Sequence, residues 1–370
     1  MKIYKKQTVY EAALDRIRYI FDEFPNIVVG YSGGKDSTVV FELAMIVAKE
    51  KNRLPLKVMW IDQELEWKST VEQVKHVMYN PDVEPMWLQI PMKILNASSG
   101  RKDADWLHCW AEGEEWARER DPISIKENKY GTDRFGKLFD AVIKTEFEGV
   151  KTAILGGVRT EESPTRFTGL TNLVTYKWIT WGKRLEGKDH YTFYPLYDWS
   201  YIDIWKAIHD NGWRYSTLYD ELYRYGVPVR DMRVSNIHHE TAVRSLFFLQ
   251  EIEPDTYEAA TKRISGLDTA GKMGQNDFFI RELPFMFVSW KEYRDYLLEK
   301  LIESEDVRKG LRKEFDRMEF YAEHVGDELY KLHIQSIITN DLEYTKLKNW
   351  ENGFQRVLIR RKIRGEKVYD

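Results

Sequence analysis

Ile27-Val28-Val29-Gly30-Tyr31-Ser32-Gly33-Gly34-Lys35-Asp36-Ser37-Thr38 reads as an apolar strand, a tight glycine turn and the first turn of a helix. Gly33 and Gly34 carry no Cβ, so the backbone is free to close around an anion, and the helix that follows opens with unpaired N–H groups and a partial positive charge. Ser32, Ser37 and Thr38 add hydroxyl donors, and Lys35 adds a cation. The stretch is a phosphate cradle. It is not the Walker loop, whose lysine follows a longer glycine-bounded turn, so kinase-like or GTPase-like chemistry is not implied.

Working outward, apolar runs with strand character occupy Asn26 to Tyr31, Leu56 to Ile61, Met86 to Ile90 and Thr152 to Leu155. The first three are separated by helical patterns at Thr38 to Lys49 and Trp67 to Tyr79, and a helix capped by Thr8, with Glu11 completing a capping box, precedes them. This alternation predicts a doubly wound, mostly parallel α/β sheet. Ligands of such sheets bind beyond the carboxyl ends of the strands, which puts the glycine loop, Asp62 and Gly156-Gly157 on one rim.

Residues 92 to 140 are rich in tryptophan, charge and glycine without a clean period, and are expected to form an insertion covering the site. Strand character returns at Thr175 to Trp181 and His190 to Tyr194, before a helix at Tyr201 to Asn211 with Asp198 and Ser200 as capping candidates. From about residue 240 the pattern is helical, with Ser289 capping Trp290 to Ile302 and a long charged segment from Val307 to Tyr330. The expected division is therefore a nucleotide-binding domain over residues 1 to 240 and a mostly helical domain over residues 241 to 370.

The composition of the 370 residues, 43% hydrophobic and 14% aromatic, suits a globular chain. A formal net charge of -4 gives no global attraction to nucleic acid or anionic membrane. Cys109 is the single cysteine, which excludes an intramolecular disulfide and an iron-sulfur cluster built from this chain's thiolates. The charged start MKIYKK lacks the apolar core of a signal peptide and no stretch is long enough to span a bilayer, so a cytoplasmic protein is expected.

The SGGKDS loop after a strand resembles the PP-loop of ATP pyrophosphatases, sulfate adenylyltransferase small subunits and phosphoadenosine phosphosulfate (PAPS) reductases, the adenine nucleotide α-hydrolase, HUP-type superfamily. Trp60-Ile61-Asp62 is similar to the acidic end of that superfamily's second strand. Gly157-Val158-Arg159-Thr160-Glu161-Glu162-Ser163-Pro164-Thr165-Arg166 resembles the PAPS reductase pattern G-x-R-x-x-E-S-x-x-R. Tyr194-Pro195-Leu196-Tyr197-Asp198-Trp199 and Ser216-Thr217-Leu218-Tyr219 resemble its P-L-x-D-W and Y-N-P-L-Y segments, so the matches run in order over about the first 235 residues. The reductases' C-terminal cysteine nucleophile has no counterpart here. That absence and the long helical extension look similar to IbrA-like proteins of phages and prophages, which implies a ParB-like partner.

The residues make chemical sense on their own terms. Arg159 and Arg166 each offer a planar fork to phosphate or sulfate oxygens. Asp62 and Glu162 either hold Mg²⁺ against a polyphosphate or orient those arginines. Arg230 and Arg233 form a further candidate anion site or a solvated turn, and the basic tail Arg356 to Arg364 either contacts nucleic acid or is solvated. Cys109 reads as a buried residue. The expected ligand is ATP or PAPS, cleaved between the α phosphorus and its leaving group with Lys35, Asp36, Asp62, Arg159, Glu162 and Arg166 as the chemical residues. Nucleotide binding is assigned to Tyr31 through Thr38, Asp62, Gly156, Gly157 and Arg159; the rivals are a sulfonucleotide reductase using an external thiol and a nucleotide-sensing regulatory subunit.

Overall fold

The apolar run before the glycine loop becomes the central strand of a sheet because both of its faces are covered: Ile27, Val28 and Val29 are all buried. In the computed structural model, residues 6–95, 106–171, 173–185, 189–229, 232, 234, 237, 243–264, 282–302, 304–338, 341 and 344–363 are described. In chain order the strands are β1 (Asn26–Gly30), β2 (Leu56–Ile61), β3 (Val83–Leu88), β4 (Met92–Leu95), β5 (Trp106–Cys109), β6 (Thr152–Leu155), β7 (Gly182–Arg184) and β8 (His190–Phe193). Six of them form one sheet in the order β3-β2-β1-β6-β8-β7, with β4 and β5 paired separately. All pairings in the large sheet are parallel except that of β7 with β8. The chain builds outward from β1 through β2 to β3 and then resumes on the other side of β1 with β6, so the order reverses at the β1/β6 seam. That seam is where a ligand crevice opens in such a sheet.

The helices of this part are α1 (Val9–Glu23), α2 (Lys35–Glu50), α3 (Lys68–Met78), α4 (Phe135–Glu146), α5 (Pro164–Thr171), α6 (Tyr201–Asn211) and α7 (Leu218–Arg224). Thr8 caps α1 with Glu11 in the expected box. Ser200 caps α6 in a second box with Asp203. Asp198, the other capping candidate, instead receives both terminal nitrogens of Arg16, at 2.7 and 2.6 Å, and so ties α1 to the segment after β8.

Two expected strands shift. β3 starts at Val83 rather than Met86; Pro85 is tolerated within it because β3 is the sheet edge, where a missing N–H costs no ladder bond. Thr175 to Trp181 is a turn closed by the Thr175 amide on the Ile179 carbonyl (2.8 Å), with Lys177 in the left-handed region at φ 49°, and the strand is the following Gly182–Arg184.

The chain divides into two compact units. One holds Met1–Ile94, His108–Ile237 and Glu251–Thr256; the other holds Leu95–Leu107, His238–Gln250 and Tyr257–Asp370. The return of the chain to the first unit has a structural use. α3 begins without a capping side chain of its own, and Glu253 supplies one, accepting from the amides of Lys68 (2.7 Å) and Ser69 (2.9 Å).

The second unit packs Leu298, Leu311, Phe315, Met318, Leu329 and Ile337 into its own core. The long charged segment is not one helix: Glu305–Met318 and Asp327–Ile338 are separated by short turns ending at Gly326, whose φ of 59° suits glycine. His333 is buried at the centre, its ring stacked 4.2 Å from that of Phe315 and its Nδ1 3.3 Å from Arg294. Among the described residues no helix is long and apolar enough to cross a membrane.

Two outcomes are expected. Glu253→Ala removes a buried carboxylate from two helix amides and lowers the unfolding free energy by about 1–2 kcal/mol, measured by chemical denaturation; an unchanged midpoint would refute the capping role. Burial, with Arg294 second, pushes His333 down to about 3. The unfolded chain then binds a proton that the folded chain refuses, so stability declines as pH falls from about 6.5 toward 3. Titrations at several pH values should show a shallower decline for His333→Phe.

Candidate functional site

The loop between β1 and α2 is shaped by its own hydroxyls. Ser37 Oγ donates to the Gly34 carbonyl (2.9 Å), accepts from the Ser32 amide (3.2 Å) and lies 3.1 Å from Ser32 Oγ. Gly33 has φ +73°, and a Cβ on it would stand 2.7 Å from Thr70 Cγ2, so both conformation and space require glycine. Gly34 differs: it is the α2 N-cap in extended conformation, and a Cβ there would make only ordinary contacts at 3.5 Å. At the helix start the Lys35 amide donates to the Tyr219 hydroxyl (3.1 Å). The amides of Asp36 and Ser37 are also among those with no intrahelical acceptor.

Tyr31 and Thr38 turn the other way. Their hydroxyls meet at 3.1 Å in the interior, Gln73 donates to Tyr31 at 3.1 Å, and burial pushes the Tyr31 phenol up to about 12. Tyr219, fully buried beside Asp36, is raised as well, mainly by burial. Both phenols are neutral hydrogen-bonding groups at neutral pH.

A second segment closes on the loop from β6. Gly157 passes so near the first turn of α2 that a Cβ would lie 2.7 Å from the Asp36 carbonyl carbon and the Ser37 nitrogen. Two residues on, Arg159 Nε donates to Asp36 Oδ1 (2.5 Å) and Nη1 to Glu161 (3.0 Å), with Glu162 at 3.8 Å. Lys35 Nζ takes the other oxygen of Asp36 at 2.8 Å. One carboxylate thus holds both cations of the cradle. Glu162 forms an ion pair with Arg166, which also acts electrostatically on Tyr194 in the cavity wall. The segment itself is tied down by Thr160, whose amide and hydroxyl both donate to the Tyr197 carbonyl at 2.9 and 2.8 Å.

Asp62 is not brought to the loop. Its carboxylate is wholly buried and accepts from Trp87 Nε1 (2.8 Å), Gln89 Nε2 (2.9 Å), the Glu64 amide (3.0 Å) and Arg118. All its acceptor capacity is used, and the only carboxylate at the loop itself, Asp36, is occupied by Lys35 and Arg159. Among the described residues there is no cluster of three or more His, Cys, Asp or Glu side chains suited to a metal. Asp62, with its acceptor positions taken, does not fit as a Mg²⁺ ligand, and the arginine paired with it is Arg118 rather than Arg159 or Arg166.

Beside the loop lies a cavity of about 400 Å³ over the carboxyl ends of β2, β1, β6 and β8. Its walls include Met59, Trp60, Phe135, Phe139, Leu155 and Tyr194, and its polar lining is Ser32, Gln63, Glu66, Lys183 and Thr192. The size and the mostly apolar surface with a few convergent polar groups suit a small-molecule site. Phe135 and Phe139, four apart on α4, share a helix face and come from residues 92 to 140. Ser32 and Gly156 belong to both the cavity and the loop region.

Of the sequence candidates, Ser32 to Ser37, Gly157 and Arg159 converge, Gly156 lines the cavity, and Tyr31 and Thr38 brace the loop from behind. Arg230 and Arg233 lie outside the described residues, as do the side chains of Arg356 and of the basic tail from Leu358 onward. Cys109 is buried with Sγ 3.1 Å from the Gln63 carbonyl. Sequence reading missed Tyr219's hydroxyl on the helix start and the cavity residues Gln63, Phe135, Phe139 and Thr192. Only the i,i+4 aromatic pair carries a local signal.

The contrast between two glycines gives a test. Gly157→Ala forces backbone apart at the helix start and costs about 1–3 kcal/mol, while Gly34→Ala costs under about 1 kcal/mol. Denaturation midpoints compare them; equal losses would show that close approach is not the constraint at Gly157.

Comparison with known proteins identifies a family for most of this unit. A family model described as phosphoadenosine phosphosulfate reductase domain matches residues 26–225. A second, a domain of unknown function (DUF3440), matches residues 226–367. The chain is 27% identical over 321 residues to the uncharacterized protein YbdN of Escherichia coli (strain K12), covering 82% of this chain and 78% of that one. Solved structures that resemble it include Candida glabrata FMN adenylyltransferase with FMN and an ATP analog (16% identity, TM-score 0.37), where the match covers 59% of this chain and 64%, less than two thirds, of the other. Another is the PAPS reductase of Candida auris in a phosphate complex (15% identity, TM-score 0.32, 60% of this chain and 93% of that one). With residues 26–225 of 370 matched, more than half of its length, the chain belongs to the phosphoadenosine phosphosulfate reductase domain family.

Proposed function

We propose that this protein binds ATP or a related adenylyl nucleotide, nucleoside in the cavity and β and γ phosphates on the loop, and cleaves between the α phosphorus and its leaving group. The observation that carries the reading is the continuity of the two halves: Ser32 lines the cavity and also faces Ser37 across the loop. A ligand with a flat apolar end and an anionic end fits that surface.

Attack of an acceptor oxygen at the α phosphorus forms one P–O bond and breaks the bond to the β-phosphate oxygen. The products are an adenylylated acceptor, or AMP when water attacks, and pyrophosphate. Negative charge gathers on the departing pyrophosphate, where Lys35, the α2 amides and Arg159 can meet it. Asp36 occupies the same cations beforehand, so phosphate entry exchanges one anion for another rather than recruiting cations from water.

A second reading, supported by family membership, keeps the site and makes PAPS or adenosine phosphosulfate the substrate. Its sulfonyl group would pass to a thiol of another molecule, because the one cysteine of this chain is buried.

Incubation with ATP and Mg²⁺, chromatography of nucleotides and a parallel pyrophosphate assay test the first reading. AMP or an adenylylated product with pyrophosphate is expected, reduced about 100-fold or more in Lys35→Ala and within a few-fold of the parent in Cys109→Ser. ADP with orthophosphate, lost in Lys35→Ala, would overturn it, and product from PAPS only with added thiol would establish the second.

A further inference from the structure

Two buried polar atoms have no hydrogen-bond partner among the described residues and belong to side chains that line the cavity: Gln63 Oε1 and Thr192 Oγ1. Gln63 is 6% exposed and Thr192 5%. A buried acceptor left unmade costs the full desolvation of the group, so such atoms in a ligand-sized cavity point to a ligand that satisfies them. They stand at opposite ends, one just after β2 and the other within β8, with β1 and β6 between them. The intervening lining is apolar, from Met59, Phe135, Phe139, Ile154 and Leu155. A ligand matching this pattern is flat and apolar in the middle and polar at both ends, as a nucleoside is.

The backbone at Gln63 is held by several hydrogen bonds. Its carbonyl accepts from the Leu65 amide (2.7 Å) and from Cys109 Sγ (3.1 Å), and the Asp62 carbonyl before it accepts from Trp110 Nε1 (2.8 Å). Glu64 after it holds φ 67° and accepts from the Trp110 amide (2.8 Å) and the Ala117 amide (3.0 Å). That much pinning of a short turn fixes the backbone from which the Gln63 side chain enters the cavity lining.

We infer that Gln63 is a specificity-determining residue whose carboxamide accepts a hydrogen bond from the exocyclic amino group at C6 of the nucleobase, selecting adenine over bases with oxygen or hydrogen there. This rests on the nucleotide reading proposed above. A buried site built for an amino group rejects an analogue lacking it, because the acceptor is left dry and unpaired.

The test is calorimetric titration of the whole protein with ATP, with purine ribonucleoside triphosphate, which has hydrogen at C6, and with GTP. ATP is expected to bind about tenfold or more tighter than either analogue. In Gln63→Met, of similar length and without the amide, the ATP preference should shrink to within about threefold while binding of the purine analogue changes little. A parent protein that binds ATP and the purine analogue equally overturns the assignment without needing any variant. So does a folded Gln63→Met that keeps the full preference. If no nucleotide binds at all, the nucleotide reading falls and this one with it; if ATP binds without discrimination, only the role of Gln63 falls.

Discussion

Asp36 holds Lys35 and Arg159 on its two oxygens, and the cradle depends on that shared carboxylate. The two cations come from different βα turns, on β1 and β6, and would repel each other if brought together without a counter-charge. Asp36 supplies it at the second position of α2, where the helix field also favours an anion. The bridge can form only because Gly157 lets the β6 turn lie against the backbone of the same helix turn. Charge pairing and close approach therefore belong to one contact, which leaves both cations oriented.

The other half of the site is organised by a different buried carboxylate. Asp62 collects Trp87, Gln89, Arg118 and the Glu64 amide, and through them links the ends of β2 and β3 to residues 109 to 121. The guanidinium of Arg118 lies 5.0 Å from the Trp110 ring, and Trp110 donates back to the Asp62 carbonyl. The function of this network is to fix the turn carrying Gln63 at the edge of the cavity. A charge so fully paired is a poor metal ligand and a good anchor. The tryptophan-rich region without periodicity thus has a physical role: its rings and arginines solve the problem of burying Asp62 and Glu64.

The legibility of the chain varies with the range of the interactions that decide each part. The glycine loop, the Thr8 and Ser200 capping boxes and the strand alternation are local patterns, set within a few residues, and they were readable. Pro85 inside β3 and the turn at Lys177 were not, because edge position and left-handed backbone depend on what lies alongside. Nor was the capping of α3 by Glu253, a contact spanning more than 180 residues of sequence.

Sequence alone determined that a strand, a glycine turn and a helix start follow one another, and that Arg159 follows a second glycine turn, since residue type and spacing suffice for both. Tertiary structure alone decided which groups meet. It set Asp36 between Lys35 and Arg159, withdrew Asp62 into a tryptophan-lined network, turned the Tyr31 and Thr38 hydroxyls inward and left the Gln63 and Thr192 side chains lining one cavity. The physical reason is that a hydrogen bond or ion pair requires a few ångströms of approach in a defined direction. Those distances arise from packing β1, β2, β6 and β8 side by side, which no local pattern encodes.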